Sequence, residues 1–141
     1  MKTFALFLFL APFLLHAQTD FNQVKSDAQK QHKHIRLNFS GSDWCGPCIV
    51  FTKEFLGSAD FKSFETDNLV FVNADFPRKK KNQLAPEIMK ANEGLAEKYN
   101  PTGKFPYTLL LDENGKIVKS WEGKPSGTAS EWVAELKSLC N

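Results

Sequence analysis

The chain reads as one α/β domain. Helical and strand patterns alternate along it, an Asp-Glu-Asn-Gly turn joins two strands, and a Cys-Gly-Pro-Cys motif sits where a strand gives way to a helix. Of its 141 residues, 1–17 read as a leader, and 18–141 remain, enough for one hydrophobic core and too few for two.

The leader comes first. Lys2 supplies a positive start, Phe4 to Leu15 form an apolar run, and Leu15-His16-Ala17 places a small residue at the cleavage position, the pattern of a secretory signal peptide. A run of about 12 apolar residues is shorter than the roughly 20 needed to cross a bilayer, so a retained anchor is the alternative and no membrane association is expected after cleavage. No cysteine follows the run to accept a lipid, and Ser138-Leu139-Cys140-Asn141 is not an ER-retention signal. A periplasmic or secreted location is expected.

The elements of the domain follow in order. Asp20 caps a helix whose inner face carries Phe21, Val24 and Ala28. Ile35, Leu37 and Phe39 alternate with Arg36 and Asn38, the period of a half-buried strand. Ser40-Gly41-Ser42-Asp43 has the composition of a loop, and Ile49, Val50, Phe51 and Phe55 give the segment after Cys48 an apolar face that Gly57 terminates. Ser58 caps a short helix through Phe64, and Leu69 to Ala74 reads as a buried strand. Pro86 to Tyr99 is helical with Ile88, Leu95 and Ala96 inward, and Pro101 stops it. Tyr107 to Leu111 and Ile117 to Trp121 are antiparallel strands joined by Asp112-Glu113-Asn114-Gly115, where Gly115 is free to take positive φ. Thr128-Ala129-Ser130-Glu131 has the capping-box pattern and opens a helix carrying Trp132, Val133, Leu136 and Leu139.

The motif Trp44-Cys45-Gly46-Pro47-Cys48 carries the chemistry. With Cys45 just ahead of a helix that begins near Pro47, its sulfur faces unpaired N–H groups and the positive end of the helix dipole, which favour thiolate. Cys48, one turn on, is close enough to form a disulfide with it. Proline fits the first helical turn because its missing N–H has no intrahelical partner there. Zinc sites share the CxxC spacing, but a strand–CGPC–helix context points to redox chemistry. Two other readings stand beside it. One is a structural disulfide, although so small a loop adds little chain-entropy stabilisation. The other is a metal carrier using Cys45, Cys48 and His32 or His34, although those histidines flank the far end of the strand.

As a set, these residues resemble the thioredoxin superfamily, in the form of its exported bacterial members. The resemblance covers most of the domain and rests on Trp44-Cys45-Gly46-Pro47-Cys48, on Phe105-Pro106-Tyr107-Thr108 where the family keeps a cis-proline, on the following Asp112 to Gly115 hairpin, and on Asn38 to Trp44. It implies a thioredoxin-like fold, a central mixed β-sheet flanked by helices, with the cysteine pair exposed at a helix start and Pro106 facing it. It also implies that Cys45 is the nucleophile, Cys48 the resolving thiol, and Phe105 with Pro106 the strand along which substrate docks. Trp44 covers the active-site helix, with Gly46, Pro47 and Asp43 as its supports.

The chain departs from the family where many members place a buried aspartate on the strand before the motif and a lysine on the neighbouring strand. Asn38 is the nearest counterpart, Leu69 to Ala74 contains no lysine, and an amide cannot act as a base. Asp43 is either a carboxylate that tunes Cys45 or an exposed loop residue. The function expected is that of a thiol-disulfide oxidoreductase that reduces protein disulfides, with an oxidase or isomerase as the alternative direction. It needs no bound cofactor or metal. Its partners are protein disulfides and a thiol electron donor, and the expected state is a monomer.

The net charge of +2 makes no electrostatic case for nucleic acid. The basic run Arg78-Lys79-Lys80-Lys81 is expected in a solvated surface loop, or as a docking point for an acidic partner. Cys140 is the odd thiol, free and partly covered or paired between molecules, and Trp121 and Trp132 belong to the core.

Overall fold

The computed structural model describes residues 20–141; the predicted leader lies outside the described residues. Asp20 accepts a hydrogen bond from Asn22 N at 2.9 Å and caps α1 (Phe21–Gln31). β1 (His34–Ser40), α2 (Gly46–Phe51), α3 (Ala59–Asn68) and β2 (Leu69–Asp75) follow. α4 (Pro86–Tyr99), β3 (Tyr107–Leu111), β4 (Ile117–Glu122) and α5 (Ala129–Leu139) complete the domain. The strand order is β2-β1-β3-β4, with β1 parallel to β2 and antiparallel to β3, and β3 antiparallel to β4. This is the mixed sheet that the resemblance implies.

Strand periodicity divides the core in two. Ile35, Leu37, Phe39, Leu109 and Leu111 pack with Val24 and Ala28 of α1 and Leu95 and Tyr99 of α4. Leu110 lies on the opposite face, among Phe51, Phe55, Phe61, Phe64, Trp132, Val133 and Leu136. Trp132 stacks on Phe61 at 5.0 Å and meets Phe51 edge-on at 5.5 Å, so one aromatic wall joins α2, α3 and α5.

Four expectations are corrected. β1 is buried throughout from Ile35 to Ser40 rather than half-buried, because it is an inner strand with helices over both faces. Arg36 is accommodated there by Glu65 at 2.6 Å and by the rings of Phe61 and Phe71; burial lowers its pKa, and Glu65 acts in the opposite direction. β2, by contrast, is an edge strand with Phe71 and Asn73 exposed. The segment after Cys48 stays helical to Leu56, but Thr52–Leu56 is wound as a π-helix and Gly57 N donates to the Thr52 carbonyl at 2.8 Å. Finally, the helix capped by Ser58 runs beyond Phe64 to Asn68. Gly115 takes φ +86° in the hairpin, and Thr128 and Glu131 form the reciprocal capping box.

Candidate active site

Parallel pairing of β1 and β2 sets Ser40 beside Asp75, so the loops leaving the two strands emerge together. The first loop turns on Gly41, whose carbonyl accepts from both Trp44 N (3.3 Å) and Cys45 N (2.9 Å). Asp75 holds the same loop through Ser42 N at 2.9 Å and through the Ser42 hydroxyl.

Cys45 is the N-cap of α2. Its backbone is extended, and its sulfur accepts the Cys48 N–H at 3.3 Å, a donor left unpaired by the first helical turn. Pro47 occupies that turn. Cys45 and Cys48 are joined as a disulfide, their Cα atoms 5.2 Å apart. The pair is not exposed as the resemblance implies: Cys45 retains 5% of its surface and Cys48 1%. The Gly41 turn draws the start of the motif back toward the sheet, and the exposed rim is formed by Gly46, Pro47, Ile49 and Val50. Of the two, Cys45 is the slightly less covered.

Trp44 is fixed from several sides. Its Nε1 donates to the Phe76 carbonyl at 2.7 Å, its ring meets Phe105 edge-on at 5.5 Å, and the Arg78 guanidinium sits 3.7 Å from its ring centroid. A Cβ at position 41 would collide with the indole, so glycine is required there by close approach. Phe76 also packs on Phe105 at 5.7 Å, and the Phe105–Pro106 peptide bond is cis, with Pro106 fully buried. Through Phe105, this segment borders Trp44 and hence the motif.

Asp43 turns to the second loop. Its carboxylate accepts from Arg78 N, Lys79 N and Asn82 Nδ2, each at 2.9 Å, and the Arg78 N–H in particular holds its pKa below the ordinary carboxylate value. Asn38 is buried in a neutral network, donating to Asn73 Oδ1 at 2.8 Å and accepting from Thr108 Oγ1 at 2.9 Å. Neither partner offers a base.

Phe76 and Arg78 are site neighbours that the motif alone did not indicate. The available signal was positional: they follow the strand that pairs in parallel with the one leading into the motif. His32 and His34 are not brought to the cysteines. His32 ends α1 in the left-handed region at φ 53°, and His34 opens β1, whose seven residues span roughly 20 Å before the motif loop. Among the described residues, no three His, Cys, Asp or Glu side chains are placed to hold a metal ion. Cys140 caps the C-terminus of α5 as a free thiol, and burial pushes its pKa up to about 11.

Comparison with known proteins agrees with this architecture. The chain is 37% identical to the disulfide bond reductase DsbH of Chlamydia pneumoniae over 118 residues, which are 84% of this chain and 69% of that protein. A solved DsbH oxidoreductase superposes with a TM-score of 0.76 at 33% identity, covering 86% of this chain and 81% of the other. The C-terminal domain of Neisseria meningitidis DsbD in its oxidised form shares the fold, with a TM-score of 0.57 at 15% identity over 84% of this chain and 90% of that domain. The model of the thioredoxin-like domain matches residues 21–138, nearly all of the described chain, and the chain belongs to that family.

Proposed function

We propose that this chain, a thiol-disulfide oxidoreductase, works in the reducing direction on protein disulfides in the periplasm or another space outside the cytoplasm. The observation that carries this reading is the Cys45 sulfur at the head of α2, accepting the Cys48 N–H, with its disulfide partner directly behind it. In the reduced protein the same amide and the helix dipole favour the Cys45 thiolate. That thiolate attacks one sulfur of the substrate disulfide, the S–S bond breaks, and the departing substrate sulfur leaves as thiolate. Cys48 then attacks the Cys45 sulfur, the mixed disulfide breaks, and the second substrate sulfur is released. The chain gives up two electrons and ends as the Cys45–Cys48 disulfide. Asn38 is not a base for the Cys48 proton, and the departing substrate thiolate is a group able to take it. An external dithiol restores the reduced pair.

Phe105, held by the buried cis-Pro106, forms the edge along which substrate backbone lies, and Asp43, Trp44, Gly46 and Pro47 shape the approach. Similarity to a disulfide bond reductase supports the direction, and the predicted leader supports the location. Both thiols lie on one chain, so a monomer suffices. Equilibrating the Cys45/Cys48 pair with glutathione buffers tests the direction. A potential near that of thioredoxin, about −270 mV, is expected, and a value near about −120 mV would make the protein an oxidant.

A further inference from the structure

The loop after β2 carries four consecutive cations, Arg78 to Lys81, all exposed. The structure anchors this run on Asp43 and Trp44, the two residues that precede Cys45. Asp43, two residues before Cys45, accepts the backbone N–H groups of Arg78 and Lys79 and the side chain of Asn82. Gln83 Nε2 closes the loop onto the Pro77 carbonyl at 2.9 Å, and Lys80–Asn82 forms a 3₁₀ turn. Arg78 lies over Trp44. A solvated charge run needs none of these anchors.

The charges are also left available. The ion pairs among the described residues are Arg36–Glu65, Lys104–Glu122, Lys119–Glu135 and Lys124–Glu54, none of which uses this loop. Asp43 is the carboxylate bonded to it, one negative charge against four positive, and its oxygens face backbone and Asn82. The exposed rim of the motif itself is uncharged, formed by Gly46, Pro47, Ile49 and Val50. A segment approaching Cys45 therefore meets an apolar rim and, anchored through Asp43 and Trp44, a cationic loop.

We propose that the disulfide partner of this chain is a protein segment with acidic residues flanking its cysteine, docked against Lys79, Lys80 and Lys81. The proposal rests on Cys45–Cys48 as the redox pair and assigns the class of substrate to it. Opposite charges steer encounter and raise the rate of productive approach, an effect that salt screens.

The test uses the oxidised full domain and a fluorescent peptide with serine in place of cysteine, flanked by Asp and Glu, beside a neutral and a basic counterpart. Anisotropy is expected to show the acidic peptide bound roughly tenfold more tightly than the neutral one at low salt, with the advantage lost at high salt. The combined Lys79→Gln, Lys80→Gln and Lys81→Gln variant should bind acidic and neutral peptides alike, and Lys80→Glu should weaken acidic binding in the same direction. Unchanged acidic binding in both variants, or the same affinity for all three peptides, overturns the proposal. Retention on anionic phospholipid vesicles without preference for the acidic peptide also overturns it, by making the loop a membrane-surface contact. Reduction of the neutral bis(2-hydroxyethyl) disulfide reports separately on the redox pair. Turnover should be the same in wild type and the triple variant, and its absence from wild type alongside intact acidic-peptide binding would refute the redox reading while leaving the docking surface standing.

Discussion

Cys45 and Cys140 are the same side chain at opposite kinds of helix end. Cys45 stands at the N-cap of α2, where its sulfur receives the Cys48 N–H; Cys140 stands at the C-cap of α5, half-buried and facing the end where carbonyls are left over. Burial raises the Cys140 pKa from 9.0 to about 11, and the negative end of the helix dipole acts in the same sense. Position rather than residue type thus sorts the thiols, one at an amide-rich helix start and one packed beside the Trp132 cluster.

The sharpest way to break this contrast is to remove each sulfur. Cys45→Ser should lower dithiol-driven disulfide reduction by roughly a thousandfold or more, whereas Cys140→Ser should leave it within about twofold. Comparable losses in the two variants would end the distinction.

Alkylation of the reduced protein reads the same contrast without turnover. At pH 7 a thiol of pKa about 11 is ionised in roughly one molecule in ten thousand. Cys45 should therefore react with iodoacetamide at least about a hundredfold faster than Cys140, followed by peptide mass mapping. Similar rates would mean that the Cys48 amide does not stabilise the Cys45 thiolate.

The smallest effect is on stability in alkali. With the folded pKa of Cys140 raised, the folded chain keeps a proton that the unfolded chain releases, so this contribution is fully present below pH about 9 and is lost as pH rises through about 11. Thermal unfolding of wild type should fall more steeply than that of Cys140→Ser across this range. Parallel curves would show Cys140 to be as solvated in the folded chain as in the unfolded one.

Much of this was legible because the signals are local. Asp20, Ser58 and the Thr128–Glu131 box cap helices through bonds within three residues, and the Asp112 to Gly115 turn needs only Gly115 at positive φ. Pro86 to Tyr99 forms the predicted helix for the same reason. Burial of Arg36 and exposure of Phe71 were not legible, since alternation along one strand cannot say whether that strand lies inside the sheet or at its edge. At the site, the helix start at Cys45 followed from Gly-Pro spacing, whereas the low exposure of the pair depends on how the Gly41 turn seats it against the sheet.

The amino-acid sequence by itself determined the redox pair, the helix that polarises it and the α/β order of elements, because each depends on bonds between residues a few positions apart. Tertiary structure decided the company that pair keeps. Parallel pairing of β1 with β2 brings Phe76 and Arg78 onto Trp44 and hands the Asp43 carboxylate to the basic loop, contacts between residues more than thirty positions apart. Such contacts depend on which strands become neighbours, and no local pattern of side chains specifies that.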